Sequence, residues 1–62
     1  MQTFTDWKEA HTFAVRYARQ LHMDVALRKV RHYGKPLFAV TLASRNDSDY
    51  VMAEIVRPGD PL

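Results

Sequence analysis

Helical periodicity occurs once in this chain. The stretch FTDWKEAHTFAVRYARQLH, residues 4–22, repeats apolar side chains at three- and four-residue steps, and the segments beyond it read as strand or turn. A single helix can cover only one face of a sheet. The chain is therefore expected to fold as α+β, with the second face of its sheet left for some other solution.

Within the helical stretch, Trp7, Ala10, Ala14, Tyr17, Ala18 and Leu21 share one face, His11 joins it and Phe13 flanks it. Lys8, Glu9, Thr12, Arg16, Arg19 and Gln20 form the opposite, wet face. The alanines let a helix approach a sheet closely. Thr5 is the expected N-cap, since its hydroxyl can accept from an orphan backbone N–H one turn in. Asp6 and Glu9 place negative charge where the helix dipole favours it.

Three strand-like segments follow. DVALRKVRHY, residues 24–33, is rich in β-branched and aromatic residues, but its alternation breaks: Val25 and Leu27 share one parity, Val30 and His32 the other. A β-bulge near Arg28 and Lys29 would turn Val25, Leu27 and Val30 to one side. YGKP then predicts a tight hairpin, with Gly34 at positive φ and Pro36 at a strand entrance. LFAVTLA, residues 37–43, is apolar on both parities and reads as a central strand. SRNDSD is a polar loop, YVMAEIV (50–56) a third strand, and RPGDPL a closing turn or tail. The expected fold class is one N-terminal amphipathic helix packed on a three-stranded antiparallel β-meander, α-β-β-β. It forms a single domain over 1–57 with a C-terminal tail over 58–62. The side chains expected to face the helix are Val25, Leu27, Val30, Phe38, Val40, Leu42, Val51, Ala53 and Ile55. As topology, this order resembles the first four elements of a double-stranded-RNA-binding domain, although the second helix of that family does not follow.

Size sets the next limits. A chain of 62 residues buries only roughly 60% of its unfolded surface, so a homodimer is an expected way to add to the core. The absence of cysteine excludes disulfides, thiol catalysis and cysteine-based zinc sites, and fits a reducing compartment. There is no charged n-region with an apolar run behind it, and no stretch of ~20 apolar residues. A cytoplasmic protein without membrane contact is expected.

Charge singles out one segment. RKVRHYGKP, residues 28–36, contains Arg28, Lys29, Arg31 and Lys35 and no acid, in a chain whose net charge is only +2. The first expected function is a non-catalytic nucleic-acid-binding module. It would set Arg28, Lys29, Arg31 and Lys35 against phosphates and Tyr33 against a base. The alternative is a homodimeric or protein-interaction module, using a semi-apolar open sheet face through Tyr33, Leu37, Ala39, Tyr50 and Met52. The bland reading of the same cations is a solvated edge strand that resists aggregation.

No catalytic set, metal site or cofactor is expected. His11 and His22 lie on nearly one side of the helix, but eleven residues is about 16 Å of rise, too far for one ion. His32, beside Arg31 and Tyr33, has the residue types of a small ribonuclease toxin but no partner to orient it. Asp47 and Asp49 have a calcium-loop spacing without the glycine and the distal glutamate that loop requires. With two glycines there is no phosphate-cradling loop.

Overall fold

The computed structural model describes residues 2–30, 34, 36–44 and 50–61, with backbone alone for 50, 52 and 53. Its elements are β1 (Gln2–Phe4), α1 (Trp7–Leu21), β2 (Val25–Val30), β3 (Phe38–Leu42) and β4 (Tyr50–Val56). The fold is α+β, as expected, with the helix near the N-terminus over an antiparallel sheet. The sheet has four strands in the order β1-β3-β2-β4.

Two features depart from the expected meander. β1 was not anticipated: it pairs antiparallel with β3, Gln2 opposite Val40 and Phe4 opposite Phe38. β4 pairs with β2 instead of β3, Val25 opposite Val56 and Val30 opposite Tyr50. One explains the other. β2 takes one side of β3 and β1 takes the other, so β3 has no side left for β4, which pairs with the free side of β2. β1 and β2 then run parallel with β3 between them, joined through α1, which is a split βαβ unit. β3 is internal, as its two-sided apolar run implied.

The helix starts one residue later than Thr5 suggested. Asp6 is the N-cap: its backbone is extended, and its Oδ2 accepts from the Glu9 N–H at 3.2 Å. At the other end His22 adopts the left-handed conformation, φ 56° and ψ 38°. The Met23 N–H then bonds the Ala18 carbonyl at 3.2 Å, the six-to-one bond of a Schellman motif. This position normally selects glycine, because a Cβ there crowds the following carbonyl.

The register also relocates the bulge. Against β3, β2 is regular from Val25 opposite Leu42 to Lys29 opposite Phe38. Against β4 the register slips between Leu27, opposite Glu54, and Arg28, opposite Met52, so Ala53 is the extra residue. A bulge in β2 would break ladders on both its sides, whereas one in the edge strand β4 breaks a single ladder. The expected inward set changes accordingly. Val25, Leu27, Val40 and Val56 pack on Ala10, Ala14, Val15 and Ala18, with Phe4, Phe13, Tyr17 and Phe38 partly buried around them. Val30 is buried, but with Ala26 and Arg28 it belongs to the sheet face away from the helix, and Ile55 opposite Ala26 joins it there. Leu42 and Val51 keep the helix-side parity but are exposed. Glu54 shares that side, and its Oε2 lies 3.2 Å from His11 Nε2.

The hairpin is wider than YGKP implied. The Val30 N–H bonds the Leu37 carbonyl at 2.9 Å, leaving 31–36 as the connection, and Gly34 does not take positive φ. After β4 the chain turns tightly. The Asp60 N–H bonds the Arg57 carbonyl and the Asp60 carboxylate accepts from the Arg57 N–H, both at 3.0 Å. Arg19 Nη2 donates to the Asp60 carbonyl at 2.9 Å, which ties this turn to the last turn of α1. Among the described residues the core is thin: Leu27, Val15, Val25 and Val56 are the largest fully buried side chains.

Candidate functional site

Strand alternation separates the two described cations of the basic segment. Lys29 is exposed and lies opposite Phe38 on the helix side of the sheet. Arg28 points to the other side and is 5% exposed. Its Nε donates to Thr41 Oγ1 at 2.9 Å, and the Thr41 hydroxyl donates in turn to the Leu42 carbonyl at 3.3 Å. Because Arg28 lies directly opposite Ala39 and Ala26 opposite Thr41, this bond runs diagonally between the two alanines. Arg28 is thus a buried structural cation, and a surface phosphate contact through it is not available in this fold. Arg31, Tyr33 and Lys35, the other proposed contacts, lie outside the described residues, as do His32, Asp47 and Asp49.

The second proposed surface is also altered. Ala26 and Ala39 are fully buried and Thr41 is 4% exposed, so the centre of the face away from the helix is not an open apolar patch. Leu37 is half-buried. Tyr33 and the side chains of Tyr50 and Met52 lie outside the described residues; the register sets Tyr50 opposite Val30 and Met52 opposite Arg28.

The surface that the geometry does assemble is at the Lys29 end of the helix-side face. There Phe4, Phe38, Lys29 and Val51 form one cross-strand row. Trp7, in the first turn of α1, sits against it. Its ring centroid is 5.4 Å from that of Phe38, nearly edge-on at 76°, and 6.3 Å from that of His11 at 25°. Trp7 remains 40% exposed and Val51 44%. The sequence pattern assigned Trp7 to the buried stripe. The signal that could have shown otherwise is its position: burial along that stripe begins a turn later, at Ala10. A second aromatic row, Phe4–Phe13–Tyr17, runs along the β1 side of the helix with centroid separations of 5.2 and 5.5 Å. Beside it Asp6, Lys8, Glu9, Thr12, Phe13 and Arg16 line an open depression of about 480 Å³. Its cations and carboxylates alternate along the wet helix face, as in a solvated surface.

Among the described residues no group of three or more potential ligands could hold a metal ion, and no helix is long and apolar enough to cross a membrane. No protein-family model, curated protein or solved structure matches the chain.

Proposed function

We propose that this chain is a small, non-catalytic binding module that contacts a nucleic-acid backbone with the basic end of its sheet. The observation that carries the reading is the exposed Lys29, from which β2 leads within two residues into a segment bearing Arg31 and Lys35 and no acid. With Arg28 withdrawn into the fold, three cations are left for phosphates. Each neutralised phosphate contributes about −0.9 to the log–log salt slope on a duplex, so a slope of about −2.7 is expected. Fluorescence anisotropy of a labelled duplex across a salt series measures it. Affinity that does not change with salt would exclude the reading.

A protein-interaction or homodimer function is the second reading. It is favoured by the half-buried aromatic rows and by the outer edge of β4, which pairs only with β2 among the described residues. Such a contact rests on buried apolar area and tolerates salt. Solution mass over a dilution series separates the two.

A further inference from the structure

Resting on the homodimer reading, we infer that two copies of this chain meet along α1, antiparallel, about a two-fold axis between Thr12 and Phe13. Three features share that flank of the molecule. The first is the aromatic row. Phe4, Phe13 and Tyr17 follow one another at centroid separations of 5.2 and 5.5 Å, yet each stays only half-buried. Half-buried rings bordered by charged groups have the anatomy of an interface, an apolar centre inside a polar rim. The second is the depression of about 480 Å³ beside that row, which has Thr12 and Phe13 in its wall and is open to a ring of another molecule.

The third is charge. Around the depression Asp6 and Glu9 stand against Lys8 and Arg16, so the flank is neutral as a whole and has no pull on a polyanion. Its charges are ordered instead. Glu9 and Arg16 are exposed and seven residues apart, which is two turns, or about 10 Å, along one line of the helix. They are too far apart to pair within one copy, and among the described residues neither side chain has an ion-pair partner. A two-fold axis between Thr12 and Phe13 sets Glu9 of one copy against Arg16 of the other, and Arg16 against Glu9. The patch thereby complements itself, as an isologous dimer requires. The same axis brings Phe13 against its own copy, beside the depression. In a lone copy this face is wetted; in the pair its rings are covered and both charges are matched. The outer edge of β4 is a poorer seat for a second copy. Its bulge at Ala53 bends the strand and interrupts the row of hydrogen-bonding groups that another strand would need.

Charge reversal tests the pairing. Dimer dissociation constants are measured by sedimentation equilibrium at low ionic strength for the parent, Glu9→Arg, Arg16→Glu and an equimolar mixture of the two variants. Either variant alone sets like charges against each other at both ends of the contact. Each should dimerise about 10- to 100-fold more weakly than the parent, with two attractions lost and two repulsions gained. Mixed, the variants restore opposite charges at both ends and should form a heterodimer with about the parent's affinity. If mixing restores nothing, the charges act within each copy and the axis is overturned. A parent that dimerises no better than either variant places the contact elsewhere, as at β4; the homodimer reading then stands and this inference falls. A parent that is monomeric at every concentration ends both. Should a variant fold poorly, the unaltered protein still decides. Isotope-filtered NMR on a mixture of labelled and unlabelled parent should show contacts of the Phe13 ring between copies, and their absence from a dimeric sample overturns the axis.

Discussion

Arg28 and Lys29 are adjacent and equally basic, and the fold predicts opposite behaviour on losing either charge. Arg28→Ala removes a buried hydrogen bond from a charged donor to Thr41, and it removes the aliphatic stem that runs between Ala26 and Ala39. A hydrogen bond to a charged group contributes about 1.5–3 kcal/mol, and the lost packing adds to it. The expected destabilisation is about 2–3 kcal/mol. A chain of 62 residues has about 3–9 kcal/mol in total at 0.05–0.15 kcal/mol per residue, so this is a large share. At about 4–8 °C per kcal/mol for a domain of this size, the midpoint should fall by about 10–20 °C. Lys29→Gln alters an exposed side chain and should stay within about 0.5 kcal/mol of the parent. The salt slope of nucleic-acid binding reverses the order. Lys29→Gln should make it shallower by about 0.9, whereas Arg28→Ala, measured where it is still folded, should leave it unchanged. Thermal melts by circular dichroism and anisotropy titrations at several salt concentrations supply both numbers. An Arg28→Ala protein that melts with the parent and loses one phosphate from its slope would refute the burial argument.

Three further outcomes follow from the packing. His22→Gly relieves a left-handed backbone at the helix C-cap and should raise stability by about 1 kcal/mol in denaturant titration; a loss would mean that the imidazole holds the cap. Leu27→Ala truncates the largest fully buried side chain among the described residues and should cost about 2–5 kcal/mol, enough to leave much of the population unfolded by circular dichroism. A double-mutant cycle on His11 and Glu54, whose side chains are 30% and 43% exposed, should return a coupling below about 1 kcal/mol that shrinks with added salt.

The helix was legible because its period runs through four turns and nothing competes with it. Its N-cap was ambiguous by one residue, since Thr5 and Asp6 are both good caps and only the backbone angles separate them. The strands were legible from their β-branched content, but their neighbours were not. Alternation assigns a residue to a side of its own strand and carries no information about which strand lies beside it. β1 left no trace because three residues, Gln2, Thr3 and Phe4, cannot display a period. The parity break in residues 25–32 was real, but its resolution was not readable: β2 stays regular, and Val30 falls on the side away from the helix. The same alternation hid the fate of Arg28. A basic residue in a basic run reads as surface, and only the diagonal to Thr41 reveals it as a buried partner.

The sheet order has a kinetic consequence. Among the described strands, β2 and β3 are the one pair of sheet neighbours that follow each other directly in the chain, and their ladder can close across the short connection 31–36. Phe4 must find Phe38 across the whole of α1 and β2, about two further doublings of loop length and about 1.2 kcal/mol more closure entropy. β4 likewise reaches β2 only by passing β3. The inner pair is therefore the natural nucleus, and the two outer strands dock onto it late. Destabilising changes at the β2–β3 ladder should slow refolding, while those in β1 or β4 should chiefly speed unfolding. The fold assembles from its centre towards both rims, and its rims are the first parts to let go.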